Sequence, residues 1–192
     1  LKDIIMSERI EGLDLLRIND EHYTMHIGDV GVNAQIVEAY EKDKKRGMAT
    51  YAKYFLEELK DLNPFDVSVN ANGEIIEAKA FMVGICNARK YGTGVPLNLN
   101  GNPMDGKFEI VLVTRIDYTS LIKSGLSKFD ENFYDNQAGK VIVAENAKIN
   151  FDRPRLLQLD GELIGKFKEI KVEVLKSDVR FITHGDNTYL EP

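Results

Sequence analysis

From Leu13 onward the chain alternates apolar and polar residues in short stretches, with turn-forming residues between them. Residues 13–18 (Leu-Asp-Leu-Leu-Arg-Ile) and 22–27 (His-Tyr-Thr-Met-His-Ile) predict two strands, and Asn19-Asp20-Glu21 supplies the turn chemistry that joins them. Gly28-Asp29-Val30-Gly31 then predicts a break in regular structure. From Ala34 the spacing becomes helical, with Val37 and Tyr40 on one face and the mixed charges of Glu41 to Arg46 on a solvated one. Gly47 interrupts this pattern, and a second helix is expected from about Thr50 to Leu62. Its apolar stripe is Tyr51, Tyr54, Phe55, Leu59 and Leu62 at spacings of three and four, and Asn63-Pro64 ends it.

Beyond Pro64 the period falls to two. Phe65 to Val69 alternates, Asn72-Gly73 is a strong hairpin turn, and Glu74 to Ile85 predicts a long returning strand. A strand starts at Lys107, where Phe108, Ile110 and Leu112 alternate with Glu109, Val111 and Val113. Short strands are expected at 141–143, 148–151, 156–159, around Ile170, Val172 and Val174, and at 179–182, with one short helix from Tyr118 to Lys123. The chain therefore predicts a mostly β (α+β) fold: a β-sandwich of many short strands with a helical insertion near residues 34–62. Residues 1–183 form one domain and residues 184–192 a loose tail.

Composition narrows the class. With 43% hydrophobic and 29% charged residues among 192, the chain is an ordinary globular domain. A net charge of −6 gives no electrostatic footprint for nucleic acid. Cys86 is the only cysteine, so an internal disulfide is excluded and a reducing, cytoplasmic compartment is expected. No apolar run approaches the roughly 20 residues that span a bilayer, which leaves peripheral contact with a membrane open. The start, Leu1-Lys2-Asp3-Ile4-Ile5-Met6, has no initiating Met, basic leader or long apolar core; a fragment or processed chain is expected.

The candidate chemistry centres on Leu159-Asp160-Gly161-Glu162. An Asp-Gly pair favours a tight turn between strands and would hold Glu162 at the lip of a sheet, where a carboxylate can act as a base. Spacing alone equally allows a plain hairpin with a solvent-facing Glu. Asn102-Pro103-Met104-Asp105-Gly106-Lys107 is a loop whose carboxylate and carbonyl oxygens suit a hard cation, although a simple turn also accounts for it. Lys90-Tyr91-Gly92-Thr93-Gly94 could turn N–H groups toward an anion, or could be turn chemistry alone. His22 and His26 have the spacing of a metal pair without the helix or the Glu of the zinc motif. Cys86 lies within an apolar strand and is expected to be buried and inert. A Walker-type loop, a dinucleotide fingerprint and a Ser-His-Asp grouping are all absent.

Taken in order, these pieces resemble the second domain of bacterial diacylglycerol kinase and sphingosine kinase-like lipid kinases. Tyr23 to Ala34 (Tyr-Thr-Met-His-Ile-Gly-Asp-Val-Gly-Val-Asn-Ala) resembles that domain's strand-to-helix passage. Asn87 to Gly94 is similar to its asparagine and glycine-rich turn, Met104-Asp105-Gly106-Lys107-Phe108-Glu109-Ile110 to its Asp-Gly strand start, and Gln158-Leu159-Asp160-Gly161-Glu162 to its late Asp-Gly-Glu. The resemblance covers nearly all of residues 10–183. It implies a β-sandwich that lines a lipid cleft, with ATP held mainly by a preceding domain carrying Gly-Gly-Asp-Gly-Thr, a motif absent from these residues. By motif position it implies Glu162 as general base, Asp160 as support for the same catalytic corner, and a structural Mg2+ at Asp105 with main-chain oxygens of Asn102 and Lys107. The loop from Val95 to Met104 departs from the family in lacking Pro-x-Ala.

The expected function is thus the substrate-side domain of an ATP-dependent lipid kinase, inactive in isolation, whose partners are its own nucleotide-binding domain and a lipid at a membrane surface. Two other functions stay open: the second domain of an NAD kinase-like enzyme, against which Asp-Gly-Glu argues, and a lipid-binding module without catalysis. An uncovered sheet edge would also favour a homodimer.

Overall fold

The computed structural model describes residues 2–6, 9–31, 34, 38, 63–90, 97–98, 100–115, 138–184, 186–187, 189 and 190. Among them lie one short helix, α1 (Lys2–Met6), and ten strands: β1 (Ile10–Ile18), β2 (His22–Thr24), β3 (Ile27–Gly31), β4 (Phe65–Ala71), β5 (Glu74–Ala80), β6 (Met82–Cys86), β7 (Phe108–Val113), β8 (Ala138–Ala144), β9 (Asn146–Leu159) and β10 (Glu162–Ile182). The mostly β expectation holds. Of the helical insertion expected near 34–62, only Ala34, Glu38 and residues outside any helix at 63–64 are described; the rest of it, and the helix expected at 118–123, lie outside the described residues.

All described pairings are antiparallel, in the order β2-β1-β10-β9-β3-β6-β7-β8, with β4 pairing both β9 and β5. The branch point is β9. Along Ala147–Phe151 its two neighbours are β10 and β4, whereas along Leu157–Leu159 they are β10 and β3. A strand has only two hydrogen-bonding edges, so the exchange of β4 for β3 divides the sheet into two limbs. Pro154 lies in the exchange region; it brings no N–H to a ladder and suits a position where pairing is interrupted. One hydrophobic core joins the limbs, taking Val67 and Val69 from β4, Val83 and Ile85 from β6, and Ile110 and Leu112 from β7. This is sandwich-like packing built on two shared strands.

Four sequence expectations need correction. The strand expected over 22–27 is interrupted: β2 ends at Thr24, Met25 and His26 bend, and Ile27 opens β3. Gly28 to Gly31 does not break the structure but belongs to β3, buried between β6 and β9. Gly28 is tolerated there for close approach: a Cβ on it would lie 2.4 Å from Cδ2 of Leu159. The long strand expected over 74–85 is split at Phe81, whose N–H donates to the Val113 carbonyl across the sheet. The many short strands after residue 146 are two long ones, of 14 and 21 residues. Their charged stretches look like breaks in the sequence, yet they are exposed positions on continuous strands. A register shift at Leu163/Gly165 puts an extra residue in β10, and one at Phe167/Glu169 puts residues 151–154 of β9 opposite a single β10 residue; neither ends its strand.

Candidate functional site

The Asp160-Gly161 hairpin forms as the sequence predicts. Asp160 (φ 49°) and Gly161 (φ 92°) both take left-handed backbone, and Leu159 pairs with Glu162 across them. The two acidic residues of the motif have different surroundings. The Asp160 carboxylate accepts from Thr24 Oγ1 (2.7 Å), Met25 N–H (3.0 Å), His26 N–H (3.1 Å) and Ile27 N–H (3.0 Å). Its own N–H donates to the Ile27 carbonyl at 3.1 Å. Asp160 therefore clamps the β9–β10 turn to the loop between β2 and β3. Glu162 is exposed and, among the described residues, its carboxylate has no hydrogen-bond or ion-pair partner.

Gln158 secures the other side of the turn. Its Oε1 accepts from Gly161 N–H at 2.7 Å, and its Nε2 donates to Asp29 Oδ2. Asp29 and Gln158 sit opposite each other in the β3–β9 ladder, 0% and 1% exposed. They begin a row of buried polar groups on the sheet face turned away from the core. Cys86 and Glu109 follow it across β6 and β7, with Asn98 Nδ2 donating to Glu109. Burial raises the Glu109 carboxyl above the usual range, only partly offset by the Asn98 hydrogen bond, and burial pushes the Cys86 thiol well up. Cys86 is thus buried, as expected.

The 102–107 loop lies apart from this hairpin motif as a chain of side-chain-closed turns. Asn102 Oδ1 accepts from Met104 N–H (3.1 Å), and Asp105 Oδ1 accepts from Lys107 N–H (2.9 Å). Asp14, buried in β1, holds the loop: its Oδ2 accepts from Gly106 N–H (2.6 Å) and its Oδ1 from Ser177 N–H (2.8 Å). The tail packs here too. Asn102 Nδ2 donates to the Tyr189 carbonyl, and the Arg89 guanidinium stacks 4.7 Å over the Tyr189 ring, so the described part of the expected loose tail is docked. Asp105 is exposed, and its Oδ2 has no hydrogen-bond partner among the described residues. The donors on this loop are all oxygens, which fits a hard cation in kind.

Among the described residues, no group of three or more His, Cys, Asp and Glu side chains could hold a metal. His22 lies edge-on to Phe167 and beside Glu21. Residues 91–94 of the glycine-rich turn lie outside the described residues, but Asn87 before them is placed. Its Nδ2 donates to the carbonyls of Asp14 (2.8 Å) and Met25 (2.9 Å), which ties β6 to β1 and to the loop that Asp160 clamps. Sequence reasoning missed Asp14, Asp29 and the role of Gln158. The available signal was a carboxylate set among aliphatic or glycine neighbours, as in Leu13-Asp14-Leu15 and Gly28-Asp29-Val30.

Residues 27–183 match the family described as the YegS C-terminal NAD kinase beta sandwich-like domain. The chain belongs to this family. Its fold is shared by a diacylglycerol kinase structure from Bacillus anthracis str. Sterne (TM-score 0.64, 17% identity, covering 95% of this chain and 57% of that one). It is also shared by an NAD kinase from Archaeoglobus fulgidus in complex with ATP (TM-score 0.57, 10% identity, covering 96% of this chain and 59% of that one). The YegS-type domain thus spans less than two thirds of the length of either structure. No curated protein matches the chain. Among the described residues, no helix is long and apolar enough to cross a membrane.

Proposed function

We propose that this YegS-type domain is the substrate-side half of an ATP-dependent lipid kinase and that Glu162 is its general base. The observation that carries this reading is a carboxylate with no partner among the described residues, set beside a turn that is clamped on both sides. Phosphoryl transfer to an alcohol asks mainly for positioning and charge stabilisation, with a carboxylate that orients or deprotonates the hydroxyl. In this reading Glu162 takes the hydroxyl proton as the lipid oxygen bonds to the γ-phosphorus of ATP. The bond from that phosphorus to the β–γ bridging oxygen breaks, ADP leaves, and Glu162 returns its proton to water. Asp160 acts by holding the corner rather than by touching the substrate.

ATP comes from a domain outside these residues, the one that carries Gly-Gly-Asp-Gly-Thr in the lipid kinases this chain resembles. Asp105, with main-chain oxygens of Asn102 and Lys107, would hold a Mg2+ whose charge steadies the loop entering β7. Tyr23 and Met25 support an encounter with a lipid surface: they are 52% and 48% exposed, and Met25 donates its N–H to Asp160 on the Glu162 corner. The protein works in the cytoplasm, peripherally at the membrane. The Archaeoglobus likeness and the family description favour a second reading, an NAD kinase-like domain, in which the acceptor hydroxyl is on a nucleotide.

The whole protein containing Glu162→Gln, assayed with labelled ATP on diacylglycerol and sphingosine vesicles and on NAD, tests both. The lipid reading expects turnover on lipid to fall by about 10²–10⁴-fold with ATP binding intact. Full turnover in the variant removes Glu162 as the base, and phosphate transfer to NAD alone replaces the lipid with the nucleotide acceptor.

A further inference from the structure

Glu162 has no side-chain partner among the described residues, so its position is set by the backbone that carries it. Asp160 fixes the first residue of the turn at the surface. The second, Gly161, immediately precedes Glu162 and, among the described residues, is held by the side chain of Gln158 alone, through the 2.7 Å bond to its N–H. Gln158 is itself oriented from below. The Gln158 amide presents Nε2 to Asp29 Oδ2 and Oε1 to Gly161, the polarity that a carboxylate at 29, able only to accept, requires. The pair is buried, where a hydrogen bond of the wrong polarity costs most. Buried Asp29 and Gln158 and the exposed Gly161 thus form a polarised strap from the sheet interior to the turn.

We propose that Gln158, oriented by Asp29, is a positioning residue for Glu162. This rests on the reading of Glu162 as general base. The polarity of the strap supplies a test that simple packing would not pass. Gln158→Leu keeps the volume and removes both bonds. Gln158→Glu removes the donor and sets two carboxylates together. The double variant Asp29→Asn/Gln158→Glu restores the strap with its polarity kept at Gly161: the new amide at 29 donates to the new carboxylate at 158, whose other oxygen accepts from the turn.

The experiment uses the whole protein that carries this domain at pH 8. It measures hydrogen exchange at the Gly161 amide, and kcat and KM with ATP and diacylglycerol vesicles. Both single variants should exchange at Gly161 about tenfold faster or more. They should lose roughly 10–100-fold in kcat with KM for ATP unchanged, as expected for a displaced reacting group. The double variant should recover most of both. Should Gln158→Leu fail to fold, Gln158→Glu and its double variant decide the matter. Unchanged Gly161 exchange in the single variants overturns the proposal, as does a double variant no better than Gln158→Glu. A wild-type protein that phosphorylates no lipid defeats the lipid reading instead, while the exchange series still decides whether Gln158 holds the turn.

Discussion

The Asp160 carboxylate accepts from three backbone N–H groups and one hydroxyl, while Glu162 two residues on accepts from none of the described residues. Stability therefore falls to Asp160 and the proposed chemistry to Glu162. Asp160→Ala should cost about 2–4 kcal/mol, because it leaves several N–H groups of the 25–27 loop without their acceptor. Glu162→Gln should leave stability within about 0.5 kcal/mol of the parent, as an exposed, unbonded position does. Urea unfolding of both variants measures this; an equal loss in the two would contradict the division of roles. The sequence made the turn legible, because Asp-Gly is a local signal. It could not show what Asp160 does, since its partners lie 133 to 136 residues earlier in the chain. Gln158 was hidden for the same reason: its orienting carboxylate, Asp29, is 129 residues away.

At the scale of elements, local alternation located most strands, and Asn72-Gly73 turned where expected, with Asn72 at φ 55° and Gly73 at φ 79°. The ends of the strands were the illegible part. Residues 152–154 and 176–178 resemble loops by composition, and they fall where the ladders are irregular: neither stretch has a partner in the registers of β9 and β10, yet both strands run on through them. Gly31 shows the opposite error, a glycine that looks like a breaker but ends a buried strand. Its φ is 122°, and a Cβ there would lie 2.4 Å from the Phe81 carbonyl oxygen. Backbone cannot yield as a side-chain tip can. Gly31→Ala should therefore destabilise the domain by about 2–4 kcal/mol, through positive φ and the clash together. A thermal melt within a degree of the parent would show that the β3–β6 connection relaxes more freely than this geometry implies.

Across the whole molecule, β9 and β10 belong to both limbs, and one core receives residues from each. Neither limb can lose its packing while the other keeps both of its shared strands in place. Val69→Ala in β4 and Ile110→Ala in β7 should thus lower the same single unfolding transition, each by about 1–4 kcal/mol. Circular dichroism and residue-resolved hydrogen exchange should agree on one midpoint; two separated midpoints would mean the limbs are independent units. The family was legible at this scale through the order of four modest motifs, whereas the exchange of neighbours along β9 left no trace in the sequence beyond Pro154.

The clamp on the β9–β10 turn also restricts how a reaction could proceed here. Three strands meet at that corner, and Asp160, Gln158 and Asn87 bind it from different directions. Among the described residues, the backbone next to Glu162 has no loose hinge at this corner. On the lipid-kinase proposal, whatever reacts with Glu162 has to come to it, because the turn beside it is tied down on both sides.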